Sequence, residues 1–257
     1  MSLQGTETIK VERHQQRVTV TLANPRLKNR LNSEDLADLL NLVNRLHQDT
    51  TVRVVTFTGE GDCFCAGFDL NELSRVTEDQ RLPDFDKLAQ SIEDLRCPTI
   101  CALNGSVYGG GIDLALACDF RLGVEGMELM MPAVRLGLHY YPSGIRRYVA
   151  RLGGKGARRL LLRSETVGGQ DLLDLGFLDE IHPVDRLAAA ARSLAARLAG
   201  FGPLALEGMK QCINGFARSS AELATMEERF QDVLQSEDIR EGIRAQREKR
   251  PPGFQRK

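Results

Sequence analysis

The sequence predicts an α/β protein with a helical C-terminal part. Alternating apolar residues over 18–22 and a β-branched run over 52–57 predict two strands. Between them, apolar residues recur at the 3.6-residue spacing of a helix, after Asn32 or Ser33, and either residue suits the N-cap position. Strands and helices then continue to alternate, which is the order of elements in α/β folds.

The elements after the first helix complete this pattern. They are, in order, a helix over 84–95, a strand over 99–103, a helix over 112–118 directly after three glycines, and a short strand over 120–122. From about Arg186 the strand pattern ends. The remaining predicted helices cover residues 186–198, 204–216, 221–234 and 238–248. We therefore divide the chain into a core over residues 1–195 and a helical C-terminal region over residues 196–257.

The composition is that of an ordinary globular protein. Apolar residues make up 42% of the 257 residues and the formal net charge is −1, so no broad field attracts nucleic acid or a membrane surface. No apolar run reaches the roughly 20 residues that span a bilayer, and the N-terminus lacks the pattern of a secretory signal. We expect a cytoplasmic protein whose six cysteines are buried, reduced thiols, and their spacing does not suggest a metal site.

Two glycine-containing segments carry the clearest chemical pattern. The first covers residues 64–70, after a predicted strand, and the second covers residues 104–114, between a strand and a helix. Glycines leave backbone N–H groups uncovered, and a helix start adds the positive end of a dipole. One N–H from each segment could bind a developing oxyanion, although each segment alone is equally consistent with a tight turn. The pattern contains no dinucleotide fingerprint, P-loop or nucleophile elbow.

Five segments occur in a fixed order along the chain. They are V-x-V-V-T-F-T-G from Val52, F-C-A-G-F-D-L from Phe64, N-G-x-x-x-G-G-G-x-D-L-A-L-A-C-D from Asn104, M-P-A-V-R-L-G-L from Met131 and R-P-P-G-F from Arg250. This set is similar in order and spacing to the crotonase superfamily, the enoyl-CoA hydratase/isomerase family. The match runs from about Thr19 to Phe254.

The resemblance implies a fold, an assembly and a substrate class. The expected fold is a core of repeated ββα turns wound into a right-handed superhelix, followed by trimerising helices, in a homotrimer or a dimer of trimers. The expected substrate is an acyl-CoA thioester, with no cofactor beyond its CoA moiety and no metal. By motif position, the oxyanion-hole N–H groups belong to Phe68 and Gly110, which would bind the thioester oxygen as the enolate forms.

The resemblance also implies CoA contacts at three places. Arg26, Leu27 and Lys28 occupy the turn that in relatives touches the adenosine and its phosphates. Ala66, Asp69 and Leu70 lie where relatives line the adenine and pantetheine path. Phe254 and Lys257 match a C-terminal pair that often packs on the nucleotide, sometimes from a neighbouring subunit. For each charge, an exposed surface position remains an equal alternative.

The chain departs from the pattern of hydratases at their two carboxylates. The first falls at Asp113 and the second at Ala133, which cannot move a proton. Asp113 also suits the first turn of a helix on dipole grounds alone. Nearby, His139 could carry a proton, and Tyr140 or Tyr141 could donate a hydrogen bond, or these aromatic residues could simply fill the pocket wall.

Three functions remain open. The first is hydration or double-bond isomerisation of an enoyl-CoA, with Asp113 as acid and base and His139 or a tyrosine assisting. The second is decarboxylation of a carboxyacyl-CoA, as in methylmalonyl-CoA decarboxylase-like proteins, with Tyr140 or His139 orienting the carboxylate. The third is a non-catalytic acyl-CoA-binding trimeric scaffold, which would not need all three glycines of 109–111. We place hydratase/isomerase chemistry first.

Overall fold

The strands form two sheets in the computed structural model, which describes residues 5–73, 84–218, 232 and 236–257. The larger sheet consists of β1 (Ile9–His14), β2 (Arg17–Leu22), β3 (Val54–Gly59), β5 (Thr99–Leu103), β7 (Phe120–Val124) and β10 (Glu180–His182), side by side in this order. β1 is antiparallel to β2, and each later neighbour is parallel. Parallel neighbours require crossover connections, which the helices supply.

A smaller sheet runs beside the larger one. Its strands are β4 (Cys63–Cys65), β6 (Ser106–Tyr108), β8 (Glu128–Met130) and β9 (Val167–Gly168), in that order. The first three are parallel and β9 is antiparallel to β8. Each strand has only two or three residues, so this sheet is a narrow band of short pairings.

Helices alternate with these strands and then dominate the C-terminal part. They are α1 (Ser33–Gln48), α2 (Leu70–Leu73), α3 (Phe85–Glu93), α4 (Gly110–Ala117), α5 (Pro142–Leu161), α6 (Gln170–Asp174), α7 (Val184–Ala199), α8 (Pro203–Ala217) and α9 (Glu237–Glu248). Short 3₁₀ turns cover Pro25–Leu27 and Ala133–Leu136.

The chain repeats one unit three times. A strand of the larger sheet is followed by a short strand of the smaller sheet and then by a helix, in β3-β4-α2, β5-β6-α4 and β7-β8-α5. This is the ββα turn that the sequence resemblance implies, and the predicted α/β class with that repeat is confirmed. Helices α1, α3, α4 and α5 pack against one another in succession, and α7 lies across the larger sheet.

Local sequence explains where several elements begin and end. Asn32, not Ser33, caps α1: its side chain accepts from the N–H of Asp35, whose carboxylate accepts from the N–H of Asn32. Helix α4 begins at Gly110, two residues before the predicted helix. The predicted boundary after residue 195 falls inside α7, which continues to Ala199, so the division into two regions stays a prediction.

Two sequence-based expectations differ from the structure. β1 was not predicted because its exposed positions carry charged residues that obscure the strand pattern. The segment 153–156 contains three glycines, a composition that predicts a turn, yet it lies inside α5, where only Gly153 leaves helical geometry (φ 66°, ψ 169°). Part of the predicted helix 221–234 lies outside the described residues.

Buried polar contacts hold α8 on the core. The Nζ of Lys210 donates to the carbonyl of Cys97 at 3.0 Å and lies 2.7 Å from Oδ2 of Asp119. Arg96 Nη1 lies 2.5 Å from Oε1 of Glu207. Because these groups are buried and paired, they fix the position of α8 on the core.

The six cysteines lie within the described residues. Five are buried and Cys212, on α8, is half-buried. Burial raises the pKa of the Cys63 thiol to about 11 and that of the Cys65 thiol to about 12. The prediction of buried thiols is confirmed for the five core cysteines.

Candidate active site

The backbone of residues 66–68 lies directly against the backbone of residues 109–111, and we call these two segments the backbone half of the site. Gly67 has a φ of +87°, a region that favours glycine. A Cβ atom added to Gly67 would lie 2.7 Å from the nitrogen of Gly110. Glycine therefore permits an approach that any side chain at this position would prevent.

The N–H groups of Phe68 and Gly110 are free donors in the backbone half. Leu31 donates its N–H to the carbonyl of Gly67 at 2.8 Å, and the N–H of Asp69 donates to the carbonyl of Leu31 at 2.9 Å. Since successive N–H groups of an extended segment point to opposite sides, the Phe68 N–H points away from Leu31. The Gly110 N–H lies in the first turn of α4, where the helix offers no acceptor. Neither N–H donates to another described residue.

The start of α4 is also packed tightly. A Cβ atom on Gly110 would lie 2.6 Å from Cζ of Phe85, so this ring rests on the glycine. Two free N–H groups beside a helix N-terminus form an environment that suits a localised negative charge. The assignment of Phe68 and Gly110 to an oxyanion hole remains a prediction.

Asp113 is fully buried, and both of its carboxylate oxygens are engaged. Arg147 forms a bidentate ion pair with Asp113, with Nε 2.8 Å from Oδ1 and Nη2 2.8 Å from Oδ2. The hydroxyl of Tyr141 also donates to Oδ2. The side chains of both Asp113 and Arg147 are 0% exposed. This geometry is that of an anchored ion pair rather than of a carboxylate facing a cavity.

The two adjacent tyrosines extend this contact toward a pocket. The hydroxyl of Tyr140 lies 3.0 Å from the hydroxyl of Tyr141, and their rings stack with centroids 4.2 Å apart. Burial, followed by the charge of Asp113, raises the pKa of both phenols above the usual value of 10. The tyrosines are therefore neutral hydrogen-bonding groups. We call Asp113, Tyr140, Tyr141 and Arg147 the side-chain half of the site.

A second carboxylate supports Arg147 from its other side. Glu93 Oε2 lies 3.4 Å from Nη1 of Arg147, 2.5 Å from Nη2 of Arg146 and 3.0 Å from Nη2 of Arg218. Burial tends to raise the pKa of Glu93, but hydrogen bonds from Arg146 and the charges of the three arginines outweigh it and lower this pKa. Burial alone would lower the pKa of Arg147, whereas Asp113 and Glu93 together raise it.

An apolar pocket of about 610 Å³ adjoins the side-chain half. One wall contains Ala133, Leu138, His139 and Tyr140, and the N–H of Leu138 donates to the carbonyl of Ala133 at 2.9 Å. The opposite wall belongs to α5. His139 is exposed at the pocket. Among the predicted catalytic side chains, the structure thus gathers His139 and Tyr140 beside Ala133, whereas Asp113 does not line the pocket.

Tyr148 contacts Tyr140 but takes no part in the hydrogen bonds that link Tyr140, Tyr141 and Asp113. Its ring meets that of Tyr140 edge-on, with centroids 6.1 Å apart. Its hydroxyl is buried and has no hydrogen-bond partner among the described residues. Tyr148 therefore packs against the side-chain half without joining its polar contacts.

The first group of predicted CoA-binding residues lies beside the backbone half. The turn containing Arg26, Leu27 and Lys28 is tied to it, because the carbonyl of Lys28 accepts from the N–H of Ala66 at 3.0 Å. Leu27 and Leu70 are exposed apolar side chains. Asp69 Oδ2 pairs with Nε of Arg30 at 3.1 Å. The predicted contacts at 26–28 and at Ala66, Asp69 and Leu70 thus share one surface.

The predicted C-terminal pair lies against the C-terminal helices of its own chain. Phe254 packs near Gly202 and Gly242, and its carbonyl accepts from Nη2 of Arg53 at 3.1 Å. The carbonyl of Lys257 accepts from the N–H of Asp238 at 3.0 Å. A nucleotide contact by Phe254 and Lys257 stays a prediction.

Arg147 is the site residue that the sequence analysis missed. The buried residues of α5 include Gly144, Arg147, Tyr148 and Leu152, which recur at helical spacing. An arginine on the apolar face of a helix indicates a buried carboxylate partner. That pattern could have pointed to an ion pair, although not to Asp113 as its partner.

Two negative findings apply to the described residues. They contain no cluster of three or more His, Cys, Asp or Glu side chains that could hold a metal ion. None of their helices has the length and apolar character needed to cross a membrane.

The sequence and the fold both match known proteins. The sequence profile of the enoyl-CoA hydratase/isomerase family matches residues 12–257. A 2,3-dehydroadipyl-CoA hydratase of Escherichia coli is 31% identical over 247 residues, covering 95% of this chain and 97% of the relative. An enoyl-CoA isomerase/hydratase of Mycosarcoma maydis is 31% identical and covers 91% of each chain.

Solved structures agree with these sequence matches. The crystal structure of an enoyl-CoA hydratase from Bacillus anthracis has a TM-score of 0.89 at 28% identity, covering 97% of this chain and 100% of the other. That of an enoyl-CoA hydratase from Polaromonas sp. JS666 has a TM-score of 0.87 at 30% identity, covering 96% and 99%. The chain therefore belongs to the enoyl-CoA hydratase/isomerase family, within the crotonase superfamily.

Proposed function

We propose that this protein binds an acyl-CoA thioester and stabilises its enolate with the N–H groups of Phe68 and Gly110. The observation that carries the proposal is the close contact of residues 66–68 with residues 109–111, because the N–H groups of Phe68 and Gly110 in these segments donate to no described residue. Two fixed donors favour the enolate over the neutral thioester, because negative charge grows on the oxygen as the enolate forms.

Within this chemistry, double-bond isomerisation of an enoyl-CoA fits the side chains best. Isomerisation needs one group that removes a proton from one carbon and returns it to another. His139 lines the same pocket as Ala133, the position where hydratases carry their second carboxylate. Imidazole exchanges protons near neutral pH and is the natural candidate for this step.

Simple hydration fits less well, because it calls for two carboxylates that hold one water. Ala133 has no polar side chain, and both oxygens of Asp113 receive hydrogen bonds from Arg147 and Tyr141. A carboxylate engaged in this way would have to break an ion pair before it could take a proton. The proposal therefore assigns Asp113 an anchoring role rather than the acid and base role expected from the resemblance.

Decarboxylation of a carboxyacyl-CoA is the second candidate. The observation that favours it is the same engagement of Asp113, since loss of carbon dioxide forms the enolate without a base. Against it, the proton of Tyr140 is directed to Tyr141, so Tyr140 is poorly placed to donate to a substrate carboxylate. A binding-only scaffold gives no reason for the close glycine contact of the backbone half.

An oligomer is part of the proposal. Met209, Ile213 and Phe216 are each more than half exposed and follow one face of α8. Such a stripe suits contact with another subunit. A homotrimer or a dimer of trimers would cover it, as the family resemblance implies. We also expect no cofactor beyond the CoA moiety of the substrate, and a cytoplasmic location.

The test compares three reactions in heavy water by mass spectrometry. The substrates are 3-hexenoyl-CoA for isomerisation, crotonyl-CoA for hydration and methylmalonyl-CoA for decarboxylation. We expect a bond shift with deuterium uptake from the first. His139→Gln should slow it by about 10²–10⁴-fold, the usual contribution of a general base.

The matched control is His47→Gln on the exposed face of α1, which should leave the rate unchanged. Loss of carbon dioxide from methylmalonyl-CoA, unaffected by His139→Gln, would replace isomerisation with the second candidate. Binding of these esters without any turnover would leave only the scaffold.

A further inference from the structure

We infer that Phe85 is a positioning residue: the tip of its buried ring fixes Gly110 in the orientation in which the Gly110 N–H can bind the enolate oxygen. This inference rests on the proposed acyl-CoA function and adds to it a residue that acts through Gly110 rather than through a contact of its own with the substrate. It follows from the contacts that surround the first turn of α4.

The ring of Phe85 contacts Gly110 end-on. A Cβ atom at Gly110 would lie 2.6 Å from Cζ of the ring, 2.8 Å from Cε1 and 3.0 Å from Cε2. The three atoms at the tip of the ring therefore occupy the space in which a side chain of residue 110 would stand. The φ of Gly110 lies outside the left-handed region, so the ring rather than the backbone conformation requires a glycine here.

The residues on either side of Gly110 are fixed by backbone atoms. The N–H of Gly109 donates to the carbonyl of Met130 at 3.2 Å. A Cβ atom at Gly111 would lie 2.5 Å from the carbonyl oxygen of Cys65. These carbonyls are present whatever the side chains are, whereas the contact to Gly110 itself comes from a side chain. Substituting the phenylalanine therefore changes the support of Gly110 and leaves these two contacts in place.

Helix α3 limits the movement of the ring. Phe85 is the first residue of α3 and is buried in the core. At the other end of α3, Nη1 of Arg147 lies 3.4 Å from Oε2 of Glu93 and donates to Oε1 of Gln90 at 3.3 Å. Between these points, α3 packs against α1, α4 and α5. Because protein interiors are densely packed, Gly110 rests on a support that has little room to shift.

Such a support matters most when negative charge develops. A donor that is already oriented needs no rearrangement as the enolate forms, and a hydrogen bond weakens steeply when its angle closes. The neutral thioester carries less charge on its oxygen, so its binding depends less on that orientation. The rate, rather than the affinity for the substrate, should therefore depend on Phe85.

The experiment uses Phe85→Leu, which removes Cε1, Cε2 and Cζ and keeps a buried apolar side chain. One readout is turnover of 3-hexenoyl-CoA. We expect kcat to fall by about 10- to 10²-fold, as for a small misplacement of a catalytic group, with KM nearly unchanged.

The second readout needs no turnover. Acetoacetyl-CoA is a β-keto thioester whose enolate absorbs in the near ultraviolet, so its ionisation on the protein can be followed directly. The pH midpoint of the bound enolate should rise by about one to two units in Phe85→Leu, which is the same 10- to 10²-fold loss expressed as an ionisation equilibrium.

Two further variants separate positioning from packing. Phe177→Leu is the matched control, because Phe177 is fully buried between α6 and β10 and loses the same three atoms. It should lower the free energy of unfolding but leave kcat and the enolate midpoint unchanged. Phe85→Met should keep part of the rate, since its flexible chain reaches the same space, and it supplies the comparison if Phe85→Leu does not fold.

A double variant tests the contact itself. Gly110→Ala places a methyl group in the space that Phe85→Leu opens. If the ring positions the donor, kcat of the double variant should exceed the product of the two single effects by about 3-fold or more, because residues in contact do not act additively.

The outcomes separate this inference from the proposed function. An enolate midpoint in Phe85→Leu equal to that of the unmodified protein, or of Phe177→Leu shifted as far, would overturn the inference while CoA esters still bind. Additive effects in the double variant would also overturn it. Failure of the unmodified protein to stabilise the enolate of acetoacetyl-CoA would overturn the proposed function, and the inference with it.

Discussion

The backbone half and the side-chain half of the site differ in what holds them in place. The backbone half depends on absent side chains: Gly67 lets the two segments touch, and the ring of Phe85 rests on Gly110. The side-chain half depends on charge, because Arg147 joins Asp113 to Glu93 in the core. An added side-chain atom would therefore disrupt the backbone half, and the loss of a charge would disrupt the side-chain half.

This difference suggests how the family varies its chemistry. A backbone donor has no side chain to substitute, so the means of stabilising an enolate can persist while neighbouring side chains change. In this chain Asp113 anchors a tyrosine pair close to the backbone half. Under the proposed function, thioester binding and proton transfer therefore depend on separate parts of the site.

Gly110→Ala should have the largest effect on kcat, because it changes the packing of the backbone half. The added methyl group would lie 2.6 Å from Cζ of Phe85, so either the buried ring or the backbone that carries the Gly110 N–H must shift. We expect kcat to fall by about 10²–10³-fold, as when one oxyanion donor is lost. Gly208→Ala in α8 is the control, since its added Cβ meets no atom within 4 Å. Equal rates for both variants would contradict the expectation that the packing of Phe85 on Gly110 positions a donor.

Arg147→Met should be the most destabilising change in the side-chain half. It leaves the carboxylates of Asp113 and Glu93 buried without their shared partner. We expect a loss of about 3–5 kcal/mol in the free energy of unfolding, measured with urea. Arg163→Met is the control, because its side chain is 73% exposed and should shift stability by at most about 0.5 kcal/mol. A loss no greater than the control's would refute the buried ion pair.

Acidification should weaken the support of Arg147 through Glu93. The folded pKa of Glu93 lies below its ordinary value of 4.5, so its stabilising contribution is present above pH 4.5 and is lost as the pH falls through the folded pKa. Glu93→Gln should be less stable than the unmodified protein at pH 7, by less than Arg147→Met. The difference between the urea midpoints of the unmodified protein and of Glu93→Gln should become smaller below pH 4.5. A difference that does not depend on pH would contradict the lowered pKa of Glu93.

The smallest effect should separate two tyrosines that differ in their hydrogen bonds. Tyr141→Phe removes a hydrogen bond to a charged group and should cost about 1.5–3 kcal/mol. Tyr148→Phe removes a buried hydroxyl that has no partner among the described residues, and it should leave the stability unchanged or slightly raised. Thermal unfolding of the two variants side by side measures the difference. Equal losses would place Tyr148 in the polar contacts as well.

Sequence reasoning works best where local chemistry decides the structure. The alternation in β2 and the Asn32 cap of α1 depend on neighbouring residues, and both were predictable. Strands such as β4 and β9 have two or three residues and leave no periodic pattern. Their positions were not predicted, because the family resemblance implied only that a ββα unit repeats.

The side-chain half could not be predicted for a different reason. Asp113 and Arg147 are 34 residues apart, and their pairing depends on how α4 packs against α5. The motif position of Asp113 suggested a catalytic acid because family patterns record residue identity rather than hydrogen-bond partners. His139 and Tyr140 line the same pocket as Ala133 because the three lie in one short segment of the chain, and their catalytic roles stay a prediction.

The cysteines differ in how accessible their thiols are, so the order in which they are labelled can report on unfolding. Cys212 is half-buried on α8, whereas the other five thiols are enclosed in the core. Since only an accessible thiolate attacks a maleimide, Cys212 should be labelled first and the others only when the core opens. A fluorophore attached to Cys212 would report whether α8 is packed on the core. The order in which the other cysteines are labelled would show which parts of the core unfold first.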